Sequence, residues 1–299
     1  MPDFLRAHDS FGKRVFGFAF HLFDLVAYEV LYRLSPARRM WFFNGGYMPL
    51  DDDYTSYPEF AGEDHSAMMY HQAGRTMVKD HGPAPTSILD VGCGQGGGLV
   101  YLSRLYPQAK LTGTERSQSA VRLAKRRTKP FTDATITQGH SGGLAFADDS
   151  FDMVVAVGSP TYFGLTLFVE EAGRVVKPGG LISFSGGYRQ GDHAKVEGEI
   201  REAAAKEGLE VLTYRNITPH TFASLKADLP RREATLARVP WPFSIYARRW
   251  ADMPGSPEYD EYEKGLRAGD VITEAGQQKV TEIAALEEQI EAAREAGRK

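Results

Sequence analysis

Ile88-Leu89-Asp90-Val91-Gly92-Cys93-Gly94-Gln95-Gly96-Gly97-Gly98 is an apolar run that ends in a glycine loop, with Leu99-Val100-Tyr101-Leu102 opening a helix behind it. A buried strand feeding such a loop and helix is the architecture of a nucleotide-binding site. Glycine lets the backbone turn tightly and approach a ligand with no Cβ in the way. Outward from this stretch, short apolar runs at 87–91, 110–114, 134–137, 151–157 and 181–184 read as five strands. Helical patterns at 96–106, 117–128, 165–175 and 192–207 lie among them, the second opened by a cap at Ser117, and 209–217 reads as a further strand. Strand and helix in alternation predict an α/β fold, a parallel sheet with helices on both faces.

Gly92, Gly94 and Gly97 also satisfy the spacing of the dinucleotide fingerprint, so the glycines alone do not choose a ligand. Two acids narrow the choice. Asp90 stands two residues before the first glycine, where a pyrophosphate has no use for a negative charge but a cofactor with an α-ammonium and a sulfonium does. Glu115, at the end of the next strand, is placed to accept hydrogen bonds from both ribose hydroxyls of an adenosine, a role that suits NAD equally. Phe151-Asp152-Met153-Val154-Val155 and Lys177-Pro178-Gly179-Gly180 add two later landmarks. The charge logic favours S-adenosylmethionine.

Taken in order, these motifs resemble the class I S-adenosylmethionine-dependent methyltransferases over residues 86–217. The resemblance implies a Rossmann-like fold with a mostly parallel seven-stranded sheet. It also implies a division into an N-terminal helical cap and lid (1–79), a cofactor-binding core (80–218) and a late segment (219–299) holding a helical insertion, a last strand and a C-terminal helix. In that family the loop after the first strand embraces the methionine portion, the acid after the second holds the ribose, and residues after the third flank the adenine. By position the implied cofactor residues are Asp90, Gly92 and Gly94, then Glu115 with Arg116, then Gly139 and His140. His140 departs from the family pattern, in which many relatives carry an acid.

Met40-Trp41-Phe42-Phe43-Asn44-Gly45-Gly46-Tyr47 and Tyr70-His71-Gln72-Ala73 are similar to segments of bacterial methyltransferases for large hydrophobic acceptors. Chief among these are the phthiotriol and phenolphthiotriol dimycocerosate methyltransferases, with sterol and fatty-acid O-methyltransferases nearby. That similarity implies oxygen methylation of a lipid or polyketide-like alcohol, or of a fatty carboxylate. Two alternatives stay open: methylation of a small nitrogen, carbon or oxygen acceptor, and a non-catalytic protein that senses S-adenosylmethionine or serves as a partner subunit.

An aliphatic hydroxyl acceptor benefits from a base, whereas a carboxylate needs none. By strand order and loop position, Tyr47, His71, Tyr162 and Tyr188 are the catalytic candidates. His193 and His220 rank below them. Phe16, Phe18, Phe20, Phe23, Trp41, Phe42 and Phe43 could line an apolar acceptor channel or pack as ordinary core. No metal-ligand spacing stands out and Cys93 is the only cysteine, so neither a metal nor a disulfide is expected.

The 299 residues are 42% hydrophobic and 25% charged, the balance of a folded globular chain. A net charge of −4 supplies no field that would gather nucleic acid, and no nucleic-acid partner is expected. A cytoplasmic location is expected from the single cysteine and from an N-terminus without the pattern of a signal peptide. Residues 15–34 are greasy, but His21, Asp24, Glu29 and Arg33 interrupt them. They read as a helix packed on its own domain, or as one touching lipid at the membrane periphery. Past Pro219, arginine-rich helical segments broken by Pro230, Pro240, Pro242, Pro254 and Pro257 suggest a lid. There Arg231, Arg232, Arg238, Arg248 and Arg249 read as a solvated face, or as a contact for anionic lipid or an acyl carrier. Residues 279–294 read as an amphipathic terminal helix.

Overall fold

The computed structural model describes residues 36–81, 83–140, 142–160, 164–187, 193–239, 251–263 and 270–277, with Glu29, Ser244, Ala247 and Arg248 in addition. Outside these lie the helices read at 15–34 and 279–294, the N-terminal phenylalanines, and Tyr162, Tyr188, Pro240, Pro242 and Arg249.

The strands are β1 (Ser87–Val91), β2 (Lys110–Glu115), β3 (Thr135–Gln138), β4 (Phe151–Val157), β5 (Val176–Gly187), β6 (Leu209–Asn216) and β7 (Asp270–Gln277). They form one sheet in the order β3-β2-β1-β4-β5-β7-β6. Neighbours from β3 to β5 run parallel, and β7 lies antiparallel between β5 and β6. The expected mostly parallel, seven-stranded Rossmann-like sheet is therefore present. Its seventh strand comes from the segment past residue 219.

The strands alternate their side chains between two apolar layers. Ile88, Met153, Val155 and Leu181 face α1 (Asp64–His81) and α2 (Gly97–Leu105), where they meet Met68, Met69, Leu99 and Leu102. Leu89, Val91, Val154, Ile182 and Phe184 face the other way, onto Phe168 of α4 (Leu165–Val175) and Ile200 of α5 (His193–Lys206). Burial on both faces explains why β1 and β4 read as continuous apolar runs. Between β2 and β3, α3 (Gln118–Thr128) opens on the expected cap, with Ser117 Oγ accepting from the Ala120 N–H at 3.1 Å. The cap offsets one of the unpaired amides of the helix start.

Two local expectations are corrected. Lys177-Pro178-Gly179-Gly180 is no separate turn but belongs to β5: Val176 pairs with Phe151 and Leu181 with Met153, so the four residues between them bulge out of register. Gly179, at φ +75°, absorbs the bend, and Lys177 Nζ reaches Asp152 at 2.7 Å. Pro230 does not break its helix either, since α6 (Thr218–Leu236) runs through it. An interior proline costs about 3 kcal/mol. Burial of Leu225 and Leu236, and bonds from Arg231 and Arg232 to Asp228, hold the helix on both sides of it. The remaining named α-helix is α7 (Pro257–Glu263), and short 3-10 helices span Pro36–Arg39 and Pro58–Phe60.

Candidate active site

The glycine loop leaves β1 over the carboxyl end of the sheet, the usual place for a ligand in an open α/β fold. Gly92, Gly94 and Gly96 all adopt positive φ (77°, 53° and 87°), so L side chains would strain the loop at each. The amides of Gly92 and Cys93 both donate to the Thr114 carbonyl, at 2.8 and 3.1 Å, which ties the loop to the end of β2. Ser159 Oγ, just past β4, donates to the Val91 carbonyl at 2.7 Å and closes the other flank.

Glu115 lies at the centre of this arrangement. Its Oε2 accepts from the Gly94 N–H at 3.1 Å and its Oε1 from the Ser117 N–H at 2.9 Å. Burial raises its carboxyl above the ordinary range, and these backbone donors with nearby Arg116 pull it partly back. The Gly139 amide donates to the Glu115 carbonyl at 3.1 Å. Gln138 Nε2 donates to the Arg116 carbonyl at 3.1 Å. Gly92, Gly94, Glu115, Arg116 and Gly139 are thus brought to one edge. His140 follows on an exposed bend that bridges to Gly143. Beside this edge, Glu29 accepts from Ser117 Oγ at 2.6 Å, a contact no local pattern announces.

Asp90 sits beneath the loop, fully buried. Tyr70 Oη donates toward its two oxygens at 3.4 and 3.3 Å. Gly98 makes room for both, because a Cβ there would stand 2.1 Å from Tyr70 Cε1 and 2.6 Å from Asp90 Oδ2. Burial pushes the Asp90 carboxyl up to about 7, against the hydrogen bond from Tyr70, which lowers it. The Tyr70 phenol itself is held well above its usual range by burial and by Asp90. Although Tyr70 lies beside His71 in a quoted motif, its partner 20 residues away was not deducible from spacing.

The described catalytic candidates occupy different settings. Tyr47 is buried, stacked on His220 with ring centroids 4.5 Å apart, and its amide donates to the His65 carbonyl at 2.8 Å. Burial raises the Tyr47 phenol, and the charge of Arg215 opposes the rise. His71 is buried with both ring nitrogens engaged, Nδ1 with Tyr101 Oη at 2.8 Å and Nε2 with Asp53 Oδ1 at 2.9 Å. Asp51, Asp53 and His71 have ligand atoms within 4.8 Å of one another. Asp53 already pairs with Arg75, and Asp51 accepts from Gln72.

Among the described residues, Phe42 is buried in the core, and Trp41 and Phe43 are half-buried against it. Phe42 lies against Phe60 and Tyr70, and Phe43 against Ala120 and Leu123. Trp41 carries the Arg127 guanidinium 3.8 Å above its ring, and Arg127 also bonds Gln95 of the glycine loop and the Met40 carbonyl. Arg127 thereby fastens the loop before α1 to the glycine loop. Arg231, Arg232 and Arg248 are engaged with Asp228 and Glu233. A cavity of about 40 Å³ opens at the carboxyl ends of β4 and β5, lined among others by Gly158, Ser185, Gly186, Asn44, Gly45 and Thr221.

Comparison with known proteins agrees with this geometry. Residues 88–180 match the family described as methyltransferase domain. The chain is 30% identical over 162 residues to a phthiotriol/phenolphthiotriol dimycocerosates methyltransferase 1 of Mycobacterium ulcerans, covering 54% of this chain and 56% of that protein. It is 29% identical over 153 residues to a fatty-acid O-methyltransferase of Mycolicibacterium smegmatis, covering 51% of this chain and 54% of that one. The matches thus span little more than half the length of these relatives. Among solved structures, geranyl diphosphate C-methyltransferase from Streptomyces coelicolor superposes with a TM-score of 0.59 at 15% identity, over 85% of this chain and 97% of that one. Residues 88–180 are thus similar to a methyltransferase domain, and the fold is the Rossmann-like one of the class I methyltransferases. No helix of the described residues is long and apolar enough to cross a membrane.

Proposed function

We propose that the chain is an S-adenosylmethionine-dependent methyltransferase acting on oxygen of a hydrophobic, lipid or polyketide-like acceptor. The observation that carries the cofactor is the bond from Gly94 N–H to Glu115. A pyrophosphate cradle needs its loop amides free and its surroundings neutral or positive. Here a loop amide is committed to a carboxylate, and a second carboxylate, Asp90, lies directly beneath. Such a loop fits a cationic amino-acid end and an adenosine ribose better than a dinucleotide.

When bound, S-adenosylmethionine supplies an electrophilic methyl group on its sulfonium. Glu115 would hold the ribose, Gly139 and His140 would flank the adenine, and Asp90 would balance the positive charge of the methionyl end. Arg127 and Trp41 keep the covering loop in place. The main task of the protein is then to hold an acceptor oxygen in line with the methyl group and to exclude water from it. Tyr47, on the covering loop, is the described candidate for touching the acceptor. The lipid-like acceptor rests on the names of the similar mycobacterial proteins.

The test is transfer of isotope-labelled methyl from S-adenosylmethionine to a panel of fatty acids, long-chain alcohols and small polar acceptors. Label in an organic-extractable ester or ether supports the proposal. Label only in small polar products would contradict the acceptor class, and cofactor binding without any transfer would indicate a sensor.

A further inference from the structure

The loop before α1 packs on the first turn of α6, and the small cavity at the ends of β4 and β5 opens beside this seam, with Asn44, Gly45 and Thr221 in its lining. Asn216 Oδ1 accepts from the amide and the hydroxyl of Thr218, at 3.0 and 2.6 Å, and fixes the start of α6. Gly45 and Gly46 bring the loop flush against the helix. An added Cβ would stand 2.5 Å from Thr221 Cγ2 at the first and 2.2 Å from Ser224 Oγ at the second. Thr221 is 1% exposed, yet its hydroxyl has no hydrogen-bond partner. A threonine in a helix ordinarily bonds back to a carbonyl one turn earlier. Here the Ile217 carbonyl takes only the Thr221 amide. Asn44 is committed, since its Nδ2 donates to the Ser66 carbonyl and its Oδ1 accepts from the Gly46 amide.

His220, in the same turn, is engaged on one side only. Its Nδ1 lies 2.8 Å from the carbonyl of Met48, 172 residues away in the chain. A carbonyl can only accept, so Nδ1 carries the proton and Nε2 of the neutral ring keeps its lone pair. Among the described residues, none forms a hydrogen bond with Nε2. The ring lies flat on Tyr47, with centroids 4.5 Å apart and planes 8° from parallel, so it cannot turn without breaking both contacts. A half-buried histidine with one nitrogen tied to a backbone carbonyl and the other bare is a base with its tautomer set. His71, by contrast, has both nitrogens engaged. No carboxylate or imidazole lies among the described residues that line the cavity. His220 is the imidazole at its rim, adjoining Thr221 in the chain and stacked on the loop that holds Gly45.

We infer that the first turn of α6 activates the acceptor: Thr221 Oγ1 binds the oxygen to be methylated and His220 Nε2 takes its proton. The inference rests on the proposed function and adds the residues that act on the acceptor. The acceptor oxygen bonds to the methyl carbon, its proton passes to Nε2, and the C–S bond breaks with its electron pair left on sulfur. The products are a methylated oxygen, a neutral thioether and an imidazolium, and the half-buried ring returns its proton to solvent. Met48 is a positioning residue, because its carbonyl holds the tautomer. A positioned base of this kind contributes about 10²- to 10⁴-fold in rate. The device serves a reacting oxygen that carries a proton.

The experiment supplies the full chain and its variants with labelled S-adenosylmethionine and hexadecan-1-ol, para-nonylphenol or hexadecanoic acid. His220→Asn keeps an N–H for the Met48 carbonyl and removes Nε2. Its kcat toward the alcohol or the phenol should fall about 100-fold or more, with KM, cofactor affinity and melting temperature unchanged. Added imidazole should restore turnover to His220→Ala. Thr221→Val should raise KM about tenfold and weaken binding of hexadecan-1-ol to the chain saturated with S-adenosylhomocysteine by the same factor, and Thr221→Ser should reverse both. In the unliganded chain, nitrogen NMR should find the His220 proton on Nδ1. An unchanged kcat in His220→Asn, no rescue by imidazole, or a proton on Nε2 would overturn the inference. Methylation of hexadecanoic acid alone would overturn it and leave the proposed function standing, because a carboxylate brings no proton to remove. Cofactor binding with no acceptor methylated would overturn it while leaving the cofactor site standing. Absence of cofactor binding would overturn the proposed function and this inference together.

Discussion

The Tyr70 hydroxyl lies 3.3 and 3.4 Å from the two oxygens of Asp90, and both side chains are buried beneath the glycine loop. These distances are long for O–H···O⁻ bonds. The carboxylate is therefore only partly satisfied, and burial raises it to about 7. Its folded value lies above the unfolded one of about 3.9, so the unliganded fold holds the proton more tightly. The charge then costs stability progressively as pH rises from about 4 through 7. A cationic ligand reverses this balance, because it favours the ionised form.

Affinity for S-adenosylmethionine should accordingly strengthen by up to about tenfold between pH 6 and pH 8, following the ionised fraction of Asp90. In Asp90→Asn the affinity should be weaker and flat across this range, while the unliganded protein should gain thermal stability at pH 8. Calorimetric titrations and melting curves at both pH values check this. A pH slope unchanged in Asp90→Asn would assign the effect to another group.

Glu115 should be the most costly single loss for adenosyl binding. Glu115→Ala removes the carboxylate proposed to hold the ribose and also the acceptor for the Gly94 and Ser117 amides. Charge-assisted bonds of this kind are worth about 1.5–3 kcal/mol. Affinity for S-adenosylhomocysteine should therefore fall roughly 10- to 100-fold. Equilibrium binding measures it directly, and an unchanged Kd would remove Glu115 from the site.

His71 is expected to matter to folding first. With one nitrogen on Tyr101 and the other on Asp53, His71→Ala leaves a buried phenol without its partner and should cost about 1–3 kcal/mol of stability. Melting temperature and kcat should be read together on this variant. A large loss of kcat at unchanged melting temperature would instead support a role for His71 as a base.

Tyr47→Phe preserves the ring and therefore its stack on His220. Melting temperature should stay close to that of the parent, with turnover reduced. Full turnover would place Tyr47 among the packing residues of the loop.

Much of this architecture is legible in the chain. The boundaries of β1 and β4 coincide with their apolar runs, since strands buried on both faces carry no polar interruptions beyond Asp90 and Asp152. The Ser117 cap was visible because capping is local. What was not legible is long-range. The quoted landmarks around Asp152 and Lys177 meet each other and Thr86 at the amino ends of the strands, away from the cofactor edge. The contacts of Tyr70 with Asp90, and of Arg127 with Trp41 and Gln95, join residues that no periodicity relates. For Trp41 and Phe42 the sequence favours core packing over a channel lining without naming their neighbours, which are Phe60, Tyr70 and Phe131. Thr221 carries no motif, and only the cavity and its unpartnered hydroxyl single it out.

The central claim is the identity of the cofactor, and side-by-side calorimetric titration of the full chain with S-adenosylmethionine, S-adenosylhomocysteine and NADH tests it most directly. The account predicts saturable binding of both adenosyl ligands and none of NADH. Binding of NADH alone would contradict the reading of Asp90, Gly94 and Glu115 on which the proposed function rests.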